Sequence, residues 1–328
     1  MKNILHYLFA HKTLSKEEAR SVLIGMSRDQ FNEAQLAALT AVYNMRPPTP
    51  EEIEGFRQAL LELCVKIDLT ELNAIDIVGT GGNEKNTFNI STLACFIVAG
   101  AGGKVIKHGN YSASSITGSS NLLEELGYIF TNEEKKLKIQ LEDIGICYLH
   151  APLFHPALKK AILVRKDLGV KTFFNMLGPL LNPGKPKNHL LGVNDLQVAR
   201  LYHYLYQQTD NNYAIIYSLD GYDEISLTGD FKCYTPRGER IYAPETLGKQ
   251  KVSRRELKGG KNTEENTRIF VNILSGKGTS AQNTVVLTNA AFALGLLNRE
   301  SFESNYEKVE EALKSGRAKN VLKKFLEN

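Results

Sequence analysis

The chain has 328 residues, 42% of them hydrophobic and 23% charged, which indicates a soluble globular protein of one large or two modest domains. Its net charge of +4, from 40 basic and 36 acidic residues, is too small to indicate a nucleic-acid partner. No apolar run approaches the ~20 residues that span a bilayer, and no signal-peptide core is apparent, so we expect a cytoplasmic protein without a membrane segment. The four cysteines are widely spaced, which indicates reduced thiols rather than disulfides or a zinc site.

Residues 1–70 predict helices throughout. Ser15–Glu18 and Thr49–Glu52 both match the capping box, and Pro50 takes the favoured first helical position of the second. Between them, apolar residues from 31 to 43 recur at helical spacing. We therefore predict about three or four helices in this segment, and no strand.

From Ile75 onward, short apolar runs alternate with helical ones. The predicted strands are Ile75–Val78, Val105–His108, Ile146–Leu149, Leu190–Val193 and Ala214–Tyr217. The predicted helices between them are Ser91–Ala101, Leu122–Gly127, Glu133–Ile144, His155–Leu168 and Asp195–Gln208. A β-rich stretch near Tyr234–Tyr242 and helices at Val285–Leu297 and Ser301–Ser315 follow. The pattern predicts an α/β protein, with a small N-terminal helical domain plus a larger α/β domain with a mostly parallel central sheet.

A glycine-rich loop follows the first predicted strand, at the edge where open α/β sheets bind ligands. Gly79-Thr-Gly-Gly82 lets the backbone approach a ligand closely, although a tight turn explains it equally well. It matches neither a Walker A loop nor a Rossmann fingerprint. Asn89 is the predicted N-cap of the next helix, and Ser91-Thr92 at its start would offer N–H groups and hydroxyls to an anion. An ordinary capped helix is the alternative interpretation.

A second polar loop opens at Lys107, at the end of the second predicted strand. There is no acidic residue from Lys104 to Asn121, although the chain holds 36 acidic residues, and this absence favours anion binding. A lysine at a strand end adds a point charge that hydroxyls cannot supply. Two such loops, one βα unit apart, predict a site for a ligand with more than one phosphate.

An acidic pair, Asp223-Glu224, follows the predicted strand Ala214–Tyr217 and could face both polar loops. Two carboxylates beside a diphosphate suit Mg²⁺, which prefers few protein ligands together with water and phosphate oxygens. The spacing alone favours a solvated acidic pair. The one basic cluster, Lys249–Lys261, is interpreted as a solvated loop rather than a binding patch.

Several motifs appear in order over roughly residues 70 to 295. They are Gly79–Gly82, Thr87–Thr92, Lys107–Asn110, Ser114-Ser115, Gly118-Ser119, His150–Pro152 with His155-Pro156, Val164-Arg165, Phe174–Pro179 with Asn182-Pro183, and Asp220–Glu224. On these motifs the chain resembles the anthranilate phosphoribosyltransferase family, which has a nucleoside phosphorylase-like fold. The resemblance implies a helical domain over 1–70, to which helices from about 155–185 would be added. It implies an α/β domain over 71–328 that binds 5-phosphoribosyl 1-pyrophosphate (PRPP).

The resemblance also implies an activity: transfer of the phosphoribosyl group of PRPP to the amino group of anthranilate, in tryptophan biosynthesis. The residues implied to bind PRPP are Gly79, Gly82, Asn83, Thr87, Asn89, Ile90, Ser91, Thr92, Lys107, His108, Gly109, Asn110, Tyr111, Ser112, Ala113, Ser114, Ser115 and Ser119. Those implied to contact anthranilate are Gly79, Asn110 and Arg165, with Arg165 facing its carboxylate. Those implied to hold Mg²⁺, as two ions per monomer, are Ser91, Asp223 and Glu224.

No catalytic acid or base is assigned by the resemblance. Lys107 and the metal would stabilise the departing pyrophosphate, and His108 is a candidate for orienting groups nearby. Because family members are usually dimeric through the helical domain, we expect a homodimer. Four positions depart from the family pattern: Asn83 and Asn121 stand where Asp is common, and Tyr111 and Lys171 stand where Arg is common.

Two competing functions are weighed against this one. The first is a pyrimidine nucleoside phosphorylase, which would carry Lys-His-Ser/Thr where this chain has Lys107-His-Gly-Asn110. The second is a non-enzymatic nucleic-acid-binding paralogue, which would lose Asn110, Arg165 and the acidic pair and would gain a basic groove. The chain keeps those residues and shows little sign of such a groove.

Overall fold

The computed structural model describes residues 1–112 and 115–328, and for Lys160, Ile162, Arg165 and Lys166 it describes the backbone alone. Its helices are α1 (Lys2–Phe9), α2 (Lys16–Ser27), α3 (Glu33–Met45), α4 (Pro50–Leu63), α5 (Ile90–Gly100), α6 (Ser119–Glu125), α7 (Glu134–Ile139), α8 (Ala151–Phe154), α9 (Lys159–Leu168), α10 (Phe174–Leu177), α11 (Leu196–Gln207), α12 (Thr263–Leu274), α13 (Ser280–Asn298), α14 (Phe302–Lys314) and α15 (Arg317–Glu327). Its strands are β1 (Ala74–Gly79), β2 (Lys104–Gly109), β3 (Ile146–His150), β4 (Asn188–Gly192), β5 (Asn212–Ser218), β6 (Phe231–Thr235) and β7 (Gly238–Tyr242).

The chain forms two compact units. The first comprises Met1–Lys66 and Ala151–Pro183, and the second comprises Ile67–His150 and Gly184–Asn328. The first unit is helical, and the predicted capping boxes at the starts of α2 and α4 are both confirmed. In each box the side chain of the cap residue accepts a backbone N–H from the glutamate three positions on, whose carboxylate accepts the cap residue's own N–H.

The first unit contains a buried carboxylate that joins its helices. Glu52, in the first turn of α4, accepts hydrogen bonds from the Leu14 N–H (2.9 Å), the Tyr43 hydroxyl (3.0 Å) and the Arg46 guanidinium (2.7 Å). Breaking a buried ion pair by removing one partner costs about 3–5 kcal/mol, because the other charge is left without compensation. Glu52 is therefore a structural residue, and its acidity does not mark a site.

The second unit contains a seven-stranded sheet in the order β3-β2-β1-β4-β5-β6-β7. The strands β3, β2, β1, β4 and β5 run parallel, and β6 and β7 add an antiparallel edge. The parallel strands are nearly continuous runs of buried residues, as expected for a sheet covered on both faces. The predicted fold class, an N-terminal helical domain plus an α/β domain with a mostly parallel sheet, is confirmed.

Helix α5 lies at the centre of the second unit. It is buried along almost its whole length, and it packs against α13, α15, β1 and β2. A helix that is apolar on every side has no solvated face, so the core fixes both its position and the position of its first turn. Within the described ranges, none of the helices combines the length and the hydropathy that a membrane span requires.

Candidate active site

The carboxyl ends of the parallel strands meet at one edge of the sheet. From the central strand β1 the chain continues to β2 on one side, and β4 pairs with β1 on the other. The strand order therefore reverses at β1, and in open α/β sheets ligands bind in the crevice beyond the carboxyl end of the strand where this happens. Gly79, Gly109 and Gly192 end β1, β2 and β4 at this edge, and Ser218 ends β5.

At this edge the glycine loop after β1 meets the acidic pair after β5. Asp223 is buried, and its Oδ2 accepts a hydrogen bond of 2.7 Å from the Gly81 N–H. Its Oδ1 accepts a hydrogen bond of 2.6 Å from the Asn83 side-chain amide. Gly81 and Gly82 have φ of +67° and +72°, a conformation that glycine adopts without strain. A predicted PRPP-binding loop and a predicted metal ligand are therefore in direct contact.

Two glycines make room for Asp223. A Cβ on Gly79 would overlap the Oδ2 atom of Asp223, and a Cβ on Gly192 would overlap its backbone oxygen. Gly79 is among the site residues predicted from the sequence, whereas Gly192 was missed. A glycine within the predicted buried strand Leu190–Val193 was the available signal, because it indicates a close approach by another part of the backbone.

One carboxylate oxygen of Glu224 is buried without a hydrogen bond among the described residues. The residue is partly exposed, but its Oε2 atom is buried and has no hydrogen-bond partner among the described residues. Burial, followed by the charge of Asp223, raises the pKa of Glu224 well above its usual range, and the Lys107 ammonium lowers it. Burial also raises the pKa of Asp223, against the effect of the Gly81 and Asn83 hydrogen bonds. The pair is a desolvated cluster of acidic oxygens that a cation would stabilise.

This donor set fits Mg²⁺. Two carboxylates, one with a buried oxygen that lacks a hydrogen bond, are the hard oxygen ligands that Mg²⁺ takes in small number, alongside water and phosphate oxygens. In the part of the chain that the structure describes, no group of three or more His, Cys, Asp or Glu side chains is arranged to hold a metal ion. Ser91, the third predicted ligand, lies in the first turn of α5 and is partly exposed.

The start of α5 differs from the prediction in one respect. Asn89 is the N-cap residue of the helix, as predicted, but no side-chain hydrogen bond accompanies it. Its side-chain amide instead donates to the Thr117 carbonyl (3.1 Å), 28 residues away, and this contact orients the side chain. Among the described residues, no side-chain cap satisfies the N–H groups of this first turn, which includes Ser91 and the buried Thr92. Such N–H groups can bind an anion.

The side chain of Lys107 reaches from β2 to the backbone of β1. Its side chain is buried, and its ammonium donates a hydrogen bond of 2.8 Å to the Ile77 carbonyl of β1. The charge of Lys107 also lowers the pKa of Glu224, against the larger effects of burial and of Asp223, which raise it. His108, the next residue of β2, is buried as well. The prediction that the polar loop opens at Lys107 is therefore wrong, because Lys107 lies within β2, which continues to Gly109.

Two residues that depart from the family pattern hold the second polar loop. The Asn121 Oδ1 accepts hydrogen bonds from the Ser112 N–H (2.9 Å) and the Gly118 N–H (3.1 Å), which closes the loop. The Tyr111 hydroxyl donates to a Glu124 carboxylate oxygen at 2.9 Å. Neither role needs a charge at position 111 or 121. Of the predicted loop residues, Ala113 and Ser114 lie outside the described residues.

Tyr148 supports this loop from β3. Its buried hydroxyl is 2.7 Å from the Ser119 hydroxyl and 2.8 Å from the Ser120 hydroxyl. A Cβ on Gly109 would overlap the same hydroxyl, so only glycine fits at the end of β2. Tyr148 was missed from the sequence, because its apolar ring is typical of an ordinary strand residue.

The remaining predicted residues are distributed as follows. Thr87 forms an isolated antiparallel β-bridge with Lys258, and the Asn86 carbonyl accepts the Gly259 N–H at 2.7 Å. Part of the basic segment 249–261 is therefore attached to the chain between the glycine loop and α5. Lys258 is exposed, consistent with solvation of that segment. Arg165 lies in α9 of the first unit, and its side chain is outside the described atoms. Asn110 is exposed after β2.

Comparison with known proteins identifies the class. Residues 2–64 match a glycosyl transferase family, helical bundle domain, and residues 71–319 match a glycosyl transferase family, α/β domain. An anthranilate phosphoribosyltransferase of Flavobacterium johnsoniae is 53% identical over 327 residues, which cover 100% of this chain and 99% of that protein. One of Bacteroides fragilis is 51% identical over 328 residues, with 100% and 99% coverage. The chain belongs to the anthranilate phosphoribosyltransferase family.

Solved structures agree with this assignment. A crystal structure of anthranilate phosphoribosyltransferase from Thermus thermophilus has a TM-score of 0.91 and 29% identity, and the match covers 98% of each chain. The enzyme from Saccharomyces cerevisiae, in complex with PRPP and Mg, has a TM-score of 0.90 and 25% identity, with 98% of this chain and 96% of that chain covered.

The glycine requirement at Gly79 gives a direct test of the site. We expect Gly79→Ala to lower turnover by about 100-fold, because the added Cβ displaces the Asp223 carboxylate, and a shift of ~1 Å costs that much. Gly229→Ala is the matched control: no described heavy atom lies within 4 Å of the position that its Cβ would take, and it should leave turnover unchanged. Steady-state kinetics on both variants, with circular dichroism to verify folding, makes the comparison. Wild-type turnover in a folded Gly79→Ala variant would contradict the geometry.

Proposed function

We propose that this protein transfers the phosphoribosyl group of PRPP to the amino group of anthranilate. The products are N-(5-phosphoribosyl)anthranilate and pyrophosphate, and the reaction is a step of tryptophan biosynthesis. The observation that carries the proposal is the contact between the buried Asp223 carboxylate and the Gly81 and Asn83 donors. It joins an acidic pair to a glycine loop at the crevice of the sheet. Membership of the anthranilate phosphoribosyltransferase family supports the choice of both substrates.

PRPP would bind across the two polar loops. Its anionic groups would accept the uncapped N–H groups at the start of α5, where the dipole stabilises a negative charge by roughly 0.3–1 kcal/mol, and by up to about 2 when partly buried. The hydroxyls of Ser91 and Thr92 add donors at the same turn. The remaining PRPP contacts, from Gly79 to Thr87 and from Lys107 to Ser119, keep the assignments made from the sequence.

The acidic pair would hold Mg²⁺. Asp223 and Glu224 supply the carboxylates, and we propose that Ser91 contributes a hydroxyl and that two ions bind per protomer. When bound, the metal would neutralise charge on the pyrophosphate and so favour its departure. The presence of PRPP and Mg in the yeast structure supports this assignment, as does the buried Glu224 oxygen without a hydrogen bond.

The reaction does not require a strong general base. An aromatic amine is already neutral at pH 7, and the barrier lies in breaking the bond between the ribose C1 and the pyrophosphate oxygen. Lys107 and the first turn of α5 would stabilise the negative charge that develops on the leaving group. Lys107 would then exchange its hydrogen bond to the Ile77 carbonyl for one to an anion. His108 is proposed only to orient groups nearby.

The acceptor assignments rest on the family resemblance. We propose that Gly79 and Asn110 contact anthranilate and that Arg165 binds its carboxylate, because a guanidinium matches a carboxylate with two parallel N–H donors.

A homodimer through the helical unit is a further proposal. Exposed apolar side chains there support it, namely Phe9, Met45, Leu163 and Val170. Light scattering tests it, and a monomer at micromolar concentration would contradict it.

A fluorescence assay tests the activity and the metal assignment together. Anthranilate fluorescence should fall only when PRPP and Mg²⁺ are both present. Asp223→Asn with Glu224→Gln should lower turnover by about 10²–10³-fold, since a bound metal contributes several kcal/mol to catalysis. The control is Glu310→Gln with Glu311→Gln, which removes the same charge from α14 and should leave turnover unchanged. Full activity of the Asp223 and Glu224 variant at limiting Mg²⁺ would refute the metal assignment. No fluorescence loss with folded wild type would refute the transferase.

Arg165 has a separate test in the same assay. We expect Arg165→Ala to raise the KM for anthranilate by about 10–100-fold, because a hydrogen bond to a charged group contributes about 1.5–3 kcal/mol. The KM for PRPP should not change. Arg28→Ala removes an exposed arginine from the same unit and serves as the control. Equal changes in both KM values would argue against a carboxylate contact.

A further inference from the structure

A buried asparagine of α13 holds the peptide that follows the acidic pair. Asn289 is buried, its Oδ1 accepts the Ile225 N–H at 3.1 Å, and its Nδ2 donates to the Ile225 carbonyl at 2.9 Å. The side-chain amide therefore pairs with both backbone groups of the residue next to Glu224, as a neighbouring strand would. A third hydrogen bond, from Nδ2 to the Val285 carbonyl at 2.9 Å, fixes the amide on its own helix.

A further hydrogen bond fixes the backbone of Glu224, the residue before Ile225. The Ser218 hydroxyl donates a hydrogen bond of 2.6 Å to the Glu224 carbonyl, and Ser218 is fully buried. Gly192 lies against the backbone oxygen of Asp223. The backbone from Asp223 to Ile225 is thus bounded at every residue by a buried contact, and the two carboxylates leave it in fixed directions.

Helix α13 also packs against α5, whose first turn is the proposed anion-binding site. Asn289 therefore connects the backbone next to the acidic pair to α13, the helix that packs against α5. Asp223 and Glu224 would hold Mg²⁺ only if their carboxylates were kept in place, because Mg²⁺ tolerates little departure from its preferred geometry.

We propose that Asn289 is a positioning residue for the metal-binding carboxylates: it acts through the Ile225 peptide and does not touch the metal. This inference rests on the proposed function, since it takes Asp223 and Glu224 as the metal ligands. An amide suits this position, because its separate oxygen and nitrogen atoms meet the N–H and the carbonyl of Ile225 at the same time. Groups that hold metal ligands in place typically contribute about 10–100-fold to metal affinity.

Asn289→Ala tests the proposal. We expect the Mg²⁺ concentration for half-maximal turnover to rise by about 10–100-fold, with turnover largely restored at saturating Mg²⁺. Binding of Mn²⁺ in the presence of pyrophosphate, followed by electron paramagnetic resonance, should weaken by the same factor without any catalysis being measured. A residue with a purely structural role would lower the folded fraction and would not change the metal requirement of the protein that remains folded.

The matched control is Asn305→Ala. Asn305 is fully buried in α14, donates to the Glu300 and Ser301 carbonyls at 3.2 and 2.9 Å and accepts from the Asn298 amide at 2.7 Å, and these three partners lie outside the site. Its loss should lower stability and leave the Mg²⁺ requirement unchanged. Ser218→Ala frees the Glu224 carbonyl with a smaller loss of packing and tests the premise that this backbone positions the carboxylates. It should raise the Mg²⁺ requirement in the same direction, and an unchanged requirement would overturn the proposal even if Asn289→Ala does not fold.

The outcomes distinguish the proposed function from the role of Asn289. A wild-type protein without Mg²⁺-dependent turnover would overturn the proposed function. Normal wild-type turnover, with an unchanged Mg²⁺ requirement and unchanged Mn²⁺ binding in the folded variants, would overturn the role of Asn289 alone. An equal rise in the Asn305→Ala control would also overturn it, since the effect would then follow from any buried asparagine.

Discussion

The Asp223 carboxylate and the Oε2 atom of the neighbouring Glu224 are withdrawn from water at the crevice of the sheet, and the donors and charges around them offset part of the cost of that withdrawal. Burial of an ionised carboxylate is unfavourable unless donors or opposite charges replace the lost water. Asp223 receives the Gly81 N–H and the Asn83 amide, while Glu224 receives a favourable charge interaction from Lys107. The buried Glu224 oxygen without a hydrogen bond leaves part of the cost uncompensated, and a bound cation would remove it.

This constraint explains one of the positions that depart from the family pattern, Asn83. Asn83 donates to Asp223, whereas an aspartate at the same place would bring a third carboxylate against a buried pair. Asn121 accepts two backbone N–H groups of the second polar loop. Tyr111 holds the same loop through Glu124. Asn83 therefore connects the glycine loop to the acidic pair without adding a charge, while Asn121 and Tyr111 hold the second polar loop through hydrogen bonds.

The sequence predicted the layers of the fold and the two polar loops, because both depend on local patterns. Alternating apolar runs located the five parallel strands, and the capping boxes of α2 and α4 formed as expected. The errors involve partners far apart in the chain. Asn89 is the N-cap of α5, but its side chain binds a carbonyl 28 residues away instead of an N–H group of the helix, and the Asn83–Asp223 hydrogen bond spans 140 residues. Gly192 and Asn289 were missed for the same reason, since only the folded chain reveals what they contact. Helices α12 and α15 were also missed.

The position of a bound metal tests the central claim most directly. Crystals grown with PRPP and Mn²⁺ would locate the ion by its anomalous scattering, without reference to turnover. We predict an ion bound to the Glu224 Oε2 atom and the Asp223 carboxylate, with the Asn289 amide still paired to Ile225. An ion held only by PRPP and water, with Glu224 left without a ligand, would contradict that claim.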